Sequence, residues 1–287
     1  MPPMQTGKVE FPEDWRPTFE MCRNGTRLVI GGLSVFDGLP RPTRRISEAL
    51  RAKGLPTGSM DIRNDTDDPD SENVLEVTGQ NMFLEHLAAL QKDSLLWLAP
   101  PCKSWGFLPR SVSGRSKSKP HGVNTAWVYQ GNEQANFVER ALLAATCEGW
   151  SLLQYLSRST KDNRIQDSYV GSCNCPEGIW IILEQPTGSM LFHEPGVKAA
   201  LTQIRARAVT VHLGCFDAPS LKPLTLYGTA PWLEELESIS KKRKVSGYAE
   251  GLSPLCTYDQ DGRATGGASV TDSEAYPEQF CDSRQVH

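Results

Sequence analysis

Two residues stand where they could make and break bonds. Cys102 ends the run Ser94-Leu-Leu-Trp-Leu-Ala-Pro-Pro-Cys102, and Glu184 ends the run Gly178-Ile-Trp-Ile-Ile-Leu-Glu184. Both runs are short, apolar and rich in strand formers, so each reads as a buried strand with a reactive residue at its carboxyl end. A thiol needs help to become a nucleophile, because a free cysteine has a pKa of about 8.5. The neighbouring loop could supply it: from Ser94 to Asn132 there is no Asp or Glu, while Lys103, Arg110, Arg115, Lys117 and Lys119 are present. The same composition suits phosphate contacts and, with about equal weight, a solvated loop. Read alone, Cys102 could be a small buried residue, and Glu184 could pair with an arginine.

A second constellation lies earlier in the chain. The run from Arg27 to Phe36 ends in Phe36-Asp37-Gly38, and Met60-Asp61-Ile62 places an acid at the end of the next strand. A glycine turn lets backbone approach a ligand closely, and an acid at the second strand end can accept from ribose hydroxyls. Together they describe a cradle for an adenosine-bearing cofactor. Simple chain reversal at Gly38 and a capping role for Asp61 are the plainer alternatives.

The elements that must position these residues follow from periodicity. Helices are expected over Thr43–Lys53, Thr78–Leu90, about Glu133–Ser157 and Val197–Ile204; further strands are expected at Ala208–Leu213 and Leu224–Tyr227. Strands alternating with helical stretches predict an α/β fold around a mostly parallel sheet flanked by helices. In such sheets ligands bind at the carboxyl ends of the strands, where all four candidate positions fall. The chain divides into an irregular segment over 1–26, an α/β domain over 27–238 and a tail over 239–287 with little expected structure.

Composition bounds the function. The 287 residues are 39% hydrophobic and 22% charged, which suits a globular core. A net charge of −4 argues against a uniformly basic surface but leaves room for a focused basic groove. Eight cysteines at irregular spacing do not form a disulfide framework, and Cys173-Asn174-Cys175 lacks the partners a zinc site needs, so no metal is expected. With no secretory signal pattern and no bilayer-length apolar run, the expected location is nucleus or cytoplasm.

The order Phe36-x-Gly38, Asp61, Pro100-Pro101-Cys102, Glu184-x-Pro186 is similar to that of the DNA cytosine-5 methyltransferases over roughly residues 28–232. The resemblance implies a Rossmann-like methyltransferase fold with an antiparallel strand near the C-terminal end of the sheet. It implies S-adenosylmethionine as cofactor, against Phe36, Asp37, Gly38, Asp61 and Pro100. It makes Cys102 the nucleophile and Glu184 the residue that binds a flipped cytosine and assists at its ring nitrogen. The base would leave its stack at a cost of a few kcal/mol. A nucleic acid, DNA or RNA, would be the partner, with Lys103, Arg110, Arg115 and Lys117 as phosphate contacts.

Four features depart from the family pattern. Pro40 and Arg41 stand where its glycine-rich loop would continue. Gln185 replaces an asparagine. The string Gln203-Ile-Arg205-Ala-Arg207 matches a family motif literally, yet the equivalent position by order of elements is Ser220-Leu-Lys222, so Lys222 stands for the first arginine and the second is lost. Only some 45 residues separate Trp232 from Tyr276-Pro277, too few for a sequence-reading domain, and they carry the basic run Lys241-Lys-Arg-Lys244. Two functions are therefore expected to compete: an active cytosine-5 methyltransferase, and a catalytically inactive methyltransferase-like protein that binds nucleic acid or regulates.

Overall fold

The computed structural model describes residues 30–36, 45–62, 71–106, 109–145, 179–245, 252, 256–258, 264–266, 276–277 and 280. In chain order these form β1 (Ile30–Val35), α1 (Arg45–Ala52), β2 (Thr57–Met60), α2 (Val77–Ala89), β3 (Leu90–Leu98), α3 (Arg110–Ser113) and α4 (Ala126–Ala144). Then come β4 (Trp180–Pro186), α5 (Pro195–Gln203), β5 (Arg207–His212), β6 (Pro223–Gly228), α6 (Leu233–Val245), β7 (Cys256–Tyr258) and β8 (Ala264–Gly266).

Six strands make one sheet in the order β2-β1-β3-β4-β6-β5. The first four pair in parallel, and β6 is antiparallel to both β4 and β5. The expected α/β architecture, with one reversed strand near the C-terminal end of the sheet, is therefore present. The carboxyl ends of β1 to β5 and the amino end of β6 share one edge. The chain winds outward from β1 to β2 and then crosses to β3 on the other side of β1, so the winding reverses there. A switch of this kind opens a crevice beyond the strand ends.

Side chains alternate between the two faces of the sheet, and each face is covered. On one face Leu33, Leu96, Leu98, Ile181 and Leu183 pack against α2, α4 and α5. On the other, Trp97, Ile182, Leu224 and Leu226 pack against Ile46 of α1, Leu233 and Leu236 of α6, and Tyr276 and Phe280. Burial on both faces explains why β3 and β4 read as continuous apolar runs rather than alternating ones.

Several boundaries differ from expectation. β3 begins at Leu90, with Asp93 at φ 65° and a register shift against β1, because the bulge absorbs residues whose polarity masked the strand. β2 ends at Met60, which leaves Asp61 just past its end. α4 begins at Ala126 rather than near Glu133, and the continuation of that helix pattern to Ser157 lies outside the described residues. So does the segment over 1–26. Structure also runs past position 238: α6 continues to Val245, and Tyr276 and Phe280 are buried. Their rings pack on Trp97 and on each other, with centroids 5.9, 6.3 and 5.6 Å apart. Isolated aromatics in a polar tail carry no periodicity, so only docking reveals them.

Candidate active site at the strand ends

The turn carrying Cys102 is built on its own backbone. Cys102–Ser104 is a 3-10 turn in which the Trp105 and Gly106 N–H groups both donate to the Cys102 carbonyl, at 3.0 and 2.9 Å. Cys102 is a free thiol, half-buried. The next strand holds this turn in place. β3 and β4 pair with Leu98 opposite Leu183, so the Pro100-Pro101-Cys102 turn leaves the sheet beside Glu184 and Gln185. Gln185 Nε2 donates to the Pro100 carbonyl, while its Oε1 accepts from Ser189 Oγ at 3.0 Å. The residue that departs from the family pattern thus ties the cysteine turn to β4. Pro100 is buried by these contacts.

Glu184 lies on the opposite face of β4 from Gln185 and is 7% exposed. Its Oε2 accepts a 2.5 Å hydrogen bond from Tyr276 Oη. Burial pushes its carboxyl pKa up, and the positive charge of Lys222 and the Tyr276 hydroxyl act against that rise. Lys222 precedes β6, whose amino end lies at the same edge as the carboxyl end of β4. The motif-like arginines lie elsewhere. Arg205 lies two residues past α5 with φ 55°, and Arg207 opens β5, paired with Glu234 at 2.6 Å, at the far end of the sheet. The order-based assignment of Lys222 therefore places it beside Glu184, where the literal motif match would not.

Asp61 and Phe36 mark the other half of the edge. Val35 pairs with Met60, and the Phe36 N–H donates to the Met60 carbonyl at 2.8 Å, which sets Phe36 beside Asp61. Phe36 has φ 63°. A bulky residue in the left-handed region is strained and persists only where its surroundings hold it, often at ligand sites. Its ring packs edge-on against Phe137, with centroids 6.0 Å apart. Asp61 is buried, and its N–H donates to Glu72 Oε2 at 2.9 Å. Glu72, itself buried, is one of a run of acidic residues that follow Asp61 in sequence. Two buried carboxylates thus lie next to each other past the carboxyl end of β2. Asp37 and Gly38 lie outside the described residues.

The basic loop divides into an inside and an outside. Arg115 is not a phosphate contact: it is 3% exposed and its guanidinium is committed within the protein. It donates to the Pro120 carbonyl, Asn132 Oδ1 at 2.8 Å, Ser104 Oγ at 3.1 Å and the Val128 carbonyl at 3.0 Å. Its Cζ lies 3.4 Å above the Trp105 ring, a cation–π contact. Burial draws its pKa down to about 10. Gly131, inside α4, makes the room: a Cβ there would meet Ser104 Oγ at 2.2 Å and Arg115 Nη2 at 3.0 Å. Because the sequence pattern predicts this helix only from about Glu133, it does not mark Gly131 as the residue that makes this room. Lys103 and Lys117 are exposed, and half-buried Arg110 donates to the Gly188 carbonyl.

Among the described residues, no group of three or more His, Cys, Asp and Glu side chains could hold a metal ion. No described helix is long and apolar enough to cross a membrane.

No family model matches the chain, and no curated protein matches it. Among solved structures, the S. pombe Dnmt2 methyltransferase aligns with 13% identity and a TM-score of 0.34 over 74% of this chain and 54% of that one. The chain thus spans about half the length of that protein, and likeness of this degree carries no weight for function.

Proposed function

We propose that this chain is an S-adenosylmethionine-dependent methyltransferase that acts on a cytosine ring of a nucleic acid through Cys102. The observation that carries this reading is the Gln185–Pro100 hydrogen bond, which fixes the cysteine turn against the strand presenting Glu184. Phe36 and Asp61 would hold the cofactor, with Glu72 behind Asp61. S-adenosylmethionine would supply an electrophilic methyl group. Cytosine C5 is too poor a nucleophile to take it unaided. The Cys102 thiolate would add at C6, which breaks the aromaticity and leaves C5 enamine-like; once C5 has taken the methyl group and lost its proton to solvent, the C6–S bond would break and release the thiolate. Glu184, whose carboxyl burial favours the protonated form, can donate a hydrogen bond to the ring nitrogen. Lys222 balances the carboxylate when that proton is away. Lys103, Arg110 and Lys117 would hold the phosphate backbone.

A specific observation favours the second reading, a methyltransferase-shaped protein that binds nucleic acid without modifying it. The Tyr276 hydroxyl occupies Glu184 Oε2, so a base could reach the carboxyl only through its other oxygen or after Tyr276 moves. Calorimetry with S-adenosylmethionine, followed by transfer of a labelled methyl group to cytosine-containing DNA and RNA, separates the two. The catalytic reading expects binding and transfer in the wild type, and transfer abolished by Cys102→Ala with cofactor affinity retained. Cofactor binding without transfer to either nucleic acid would leave the binding protein. No cofactor binding would reject the catalytic reading, and a wild type that also binds neither DNA nor RNA would reject both.

A further inference from the structure

The loop after the cysteine turn and the start of α5 are distant in sequence and meet at the surface. His193 closes the 3-10 turn Met190–His193 that leads into α5. It borders a shallow depression lined also by Pro195, Lys198, Ala199, Thr202 and Gln203. Lys117, Lys198 and Arg110 all lie close enough to His193 to act on its charge. Arg110 is anchored there by its bond to the Gly188 carbonyl, so the loop is fixed against this surface. The acid next in sequence, Glu194, is buried. Its Oε2 accepts from the Val197 N–H at 2.8 Å, and its Oε1 lies 4.0 Å from His121 Nε2. Glu139 of α4, the other acid beside this end of α5, lies against Gly196, and the charges that act on the His193 ring are those of Lys117, Lys198 and Arg110.

We propose that this depression, bordered by His193 and Lys198 and with Arg110 and Lys117 close to His193, binds the phosphate backbone of a nucleic acid, and that His193 takes up a proton as it binds. The proposal rests on the nucleic-acid reading above and adds a second contact region, on α5, with a proton-dependent affinity. Burial disfavours the charged imidazole, and the cations Lys117, Lys198 and Arg110 add to the effect, so His193 titrates below its ordinary 6.5 in the free protein. A phosphate placed among the same cations neutralises them and attracts the proton directly, so the His193 pKa rises in the complex. By linkage, affinity must then rise as pH falls through the interval between the two values, by at most about tenfold per pH unit for one proton. Gln203 lines the same depression and can donate to the same oxygens. Contacts of this kind position a strand without reading its sequence.

The test uses the full chain and fluorescent oligonucleotides, single- and double-stranded, titrated at pH 5.5 and 7.5 over a range of salt. Wild type should bind severalfold more tightly at pH 5.5, and His193→Gln should bring the ratio of the two affinities close to one. Lys198→Ala should make the slope of log affinity against log salt shallower by about 0.9 on duplex DNA or about 0.7 on a single strand. Followed by NMR, the His193 ring should titrate at higher pH with oligonucleotide than without. An unchanged affinity ratio in His193→Gln, an unchanged salt slope in Lys198→Ala, or an unmoved His193 titration overturns the proposal while leaving nucleic-acid binding intact. A wild type that binds no oligonucleotide at low salt at either pH overturns the nucleic-acid reading itself.

Discussion

The two halves of the reactive edge are held by different means. At the β3–β4 end, side chains reach across the fold: Gln185 to Pro100 and Tyr276 to Glu184. At the β1–β2 end the contacts are closer to home and the backbone itself is strained, with Phe36 at φ 63° and the Asp61 N–H held by Glu72. The first half is braced by buried polar groups whose partners lie far away in sequence. The second keeps a local distortion that ligand contacts could exploit. Under the proposed function, a thiol and a carboxyl that would meet one ring need fixed spacing, whereas a cradle for a flexible cofactor could tolerate adjustment on binding.

The largest effect expected from this contrast is at Arg115. Arg115→Ala removes four hydrogen bonds and a ring contact from a buried site, leaving carbonyl groups unsatisfied. Unfolding in urea should show a loss of about 3 kcal/mol. A loss below about 1 kcal/mol would mean that the loop is not braced from within. Gly131→Ala should be destabilising despite the better helix propensity of alanine, because the added methyl collides with Ser104 Oγ.

Gln185→Ala should cost about 1–3 kcal/mol by stranding the Pro100 carbonyl and Ser189 Oγ. Under the catalytic reading it should also lower methyl transfer more than cofactor affinity. Equal losses in both would erase the distinction between the halves. The reciprocal experiment is Asp61→Ala, expected to weaken S-adenosylmethionine binding while leaving oligonucleotide affinity in place.

The pH dependence of stability sharpens the contrast. Glu184 has a folded pKa raised above the ordinary 4.5, so the folded state holds the proton more tightly than the unfolded chain. Its contribution is fully present below pH 4.5 and is lost as pH rises through the folded value, at no more than about 1.4 kcal/mol per pH unit. Glu184→Gln should flatten that fall. His86 runs the other way. Buried beside Gly58 and bonded from Nδ1 to the Met82 carbonyl at 2.9 Å, it titrates at about 4. It stabilises the fold above pH 6.5, and that contribution is lost as pH falls from there to about 4. Melting temperatures of wild type, Glu184→Gln and His86→Phe between pH 4 and 8 test both signs.

The smallest effect is at Phe36. Leucine keeps the left-handed strain and glycine relieves it, by about 1 kcal/mol. Phe36→Gly should therefore be at least as stable as Phe36→Leu, although glycine loses more contact area. A clearly worse glycine would show that the strain is negligible.

Local pattern by itself determined the sheet and the edge. Apolar runs bounded by turns marked β1, β3 and β4, and the alternation with helices predicted parallel pairing, because these signals depend only on neighbouring residues. It also put Cys102, Glu184 and Asp61 at strand ends, and the order of elements led to Lys222. Only the tertiary structure decided which charges are spent inside and which face solvent. Arg115 and Lys117 sit in the same basic loop and look alike in sequence, yet one is wrapped by carbonyls and an indole while the other is exposed. Glu72, Tyr276, Lys198 and His193 joined their sites through contacts spanning up to 92 residues. Such contacts depend on how helices and loops dock on the sheet, and no local periodicity carries that information.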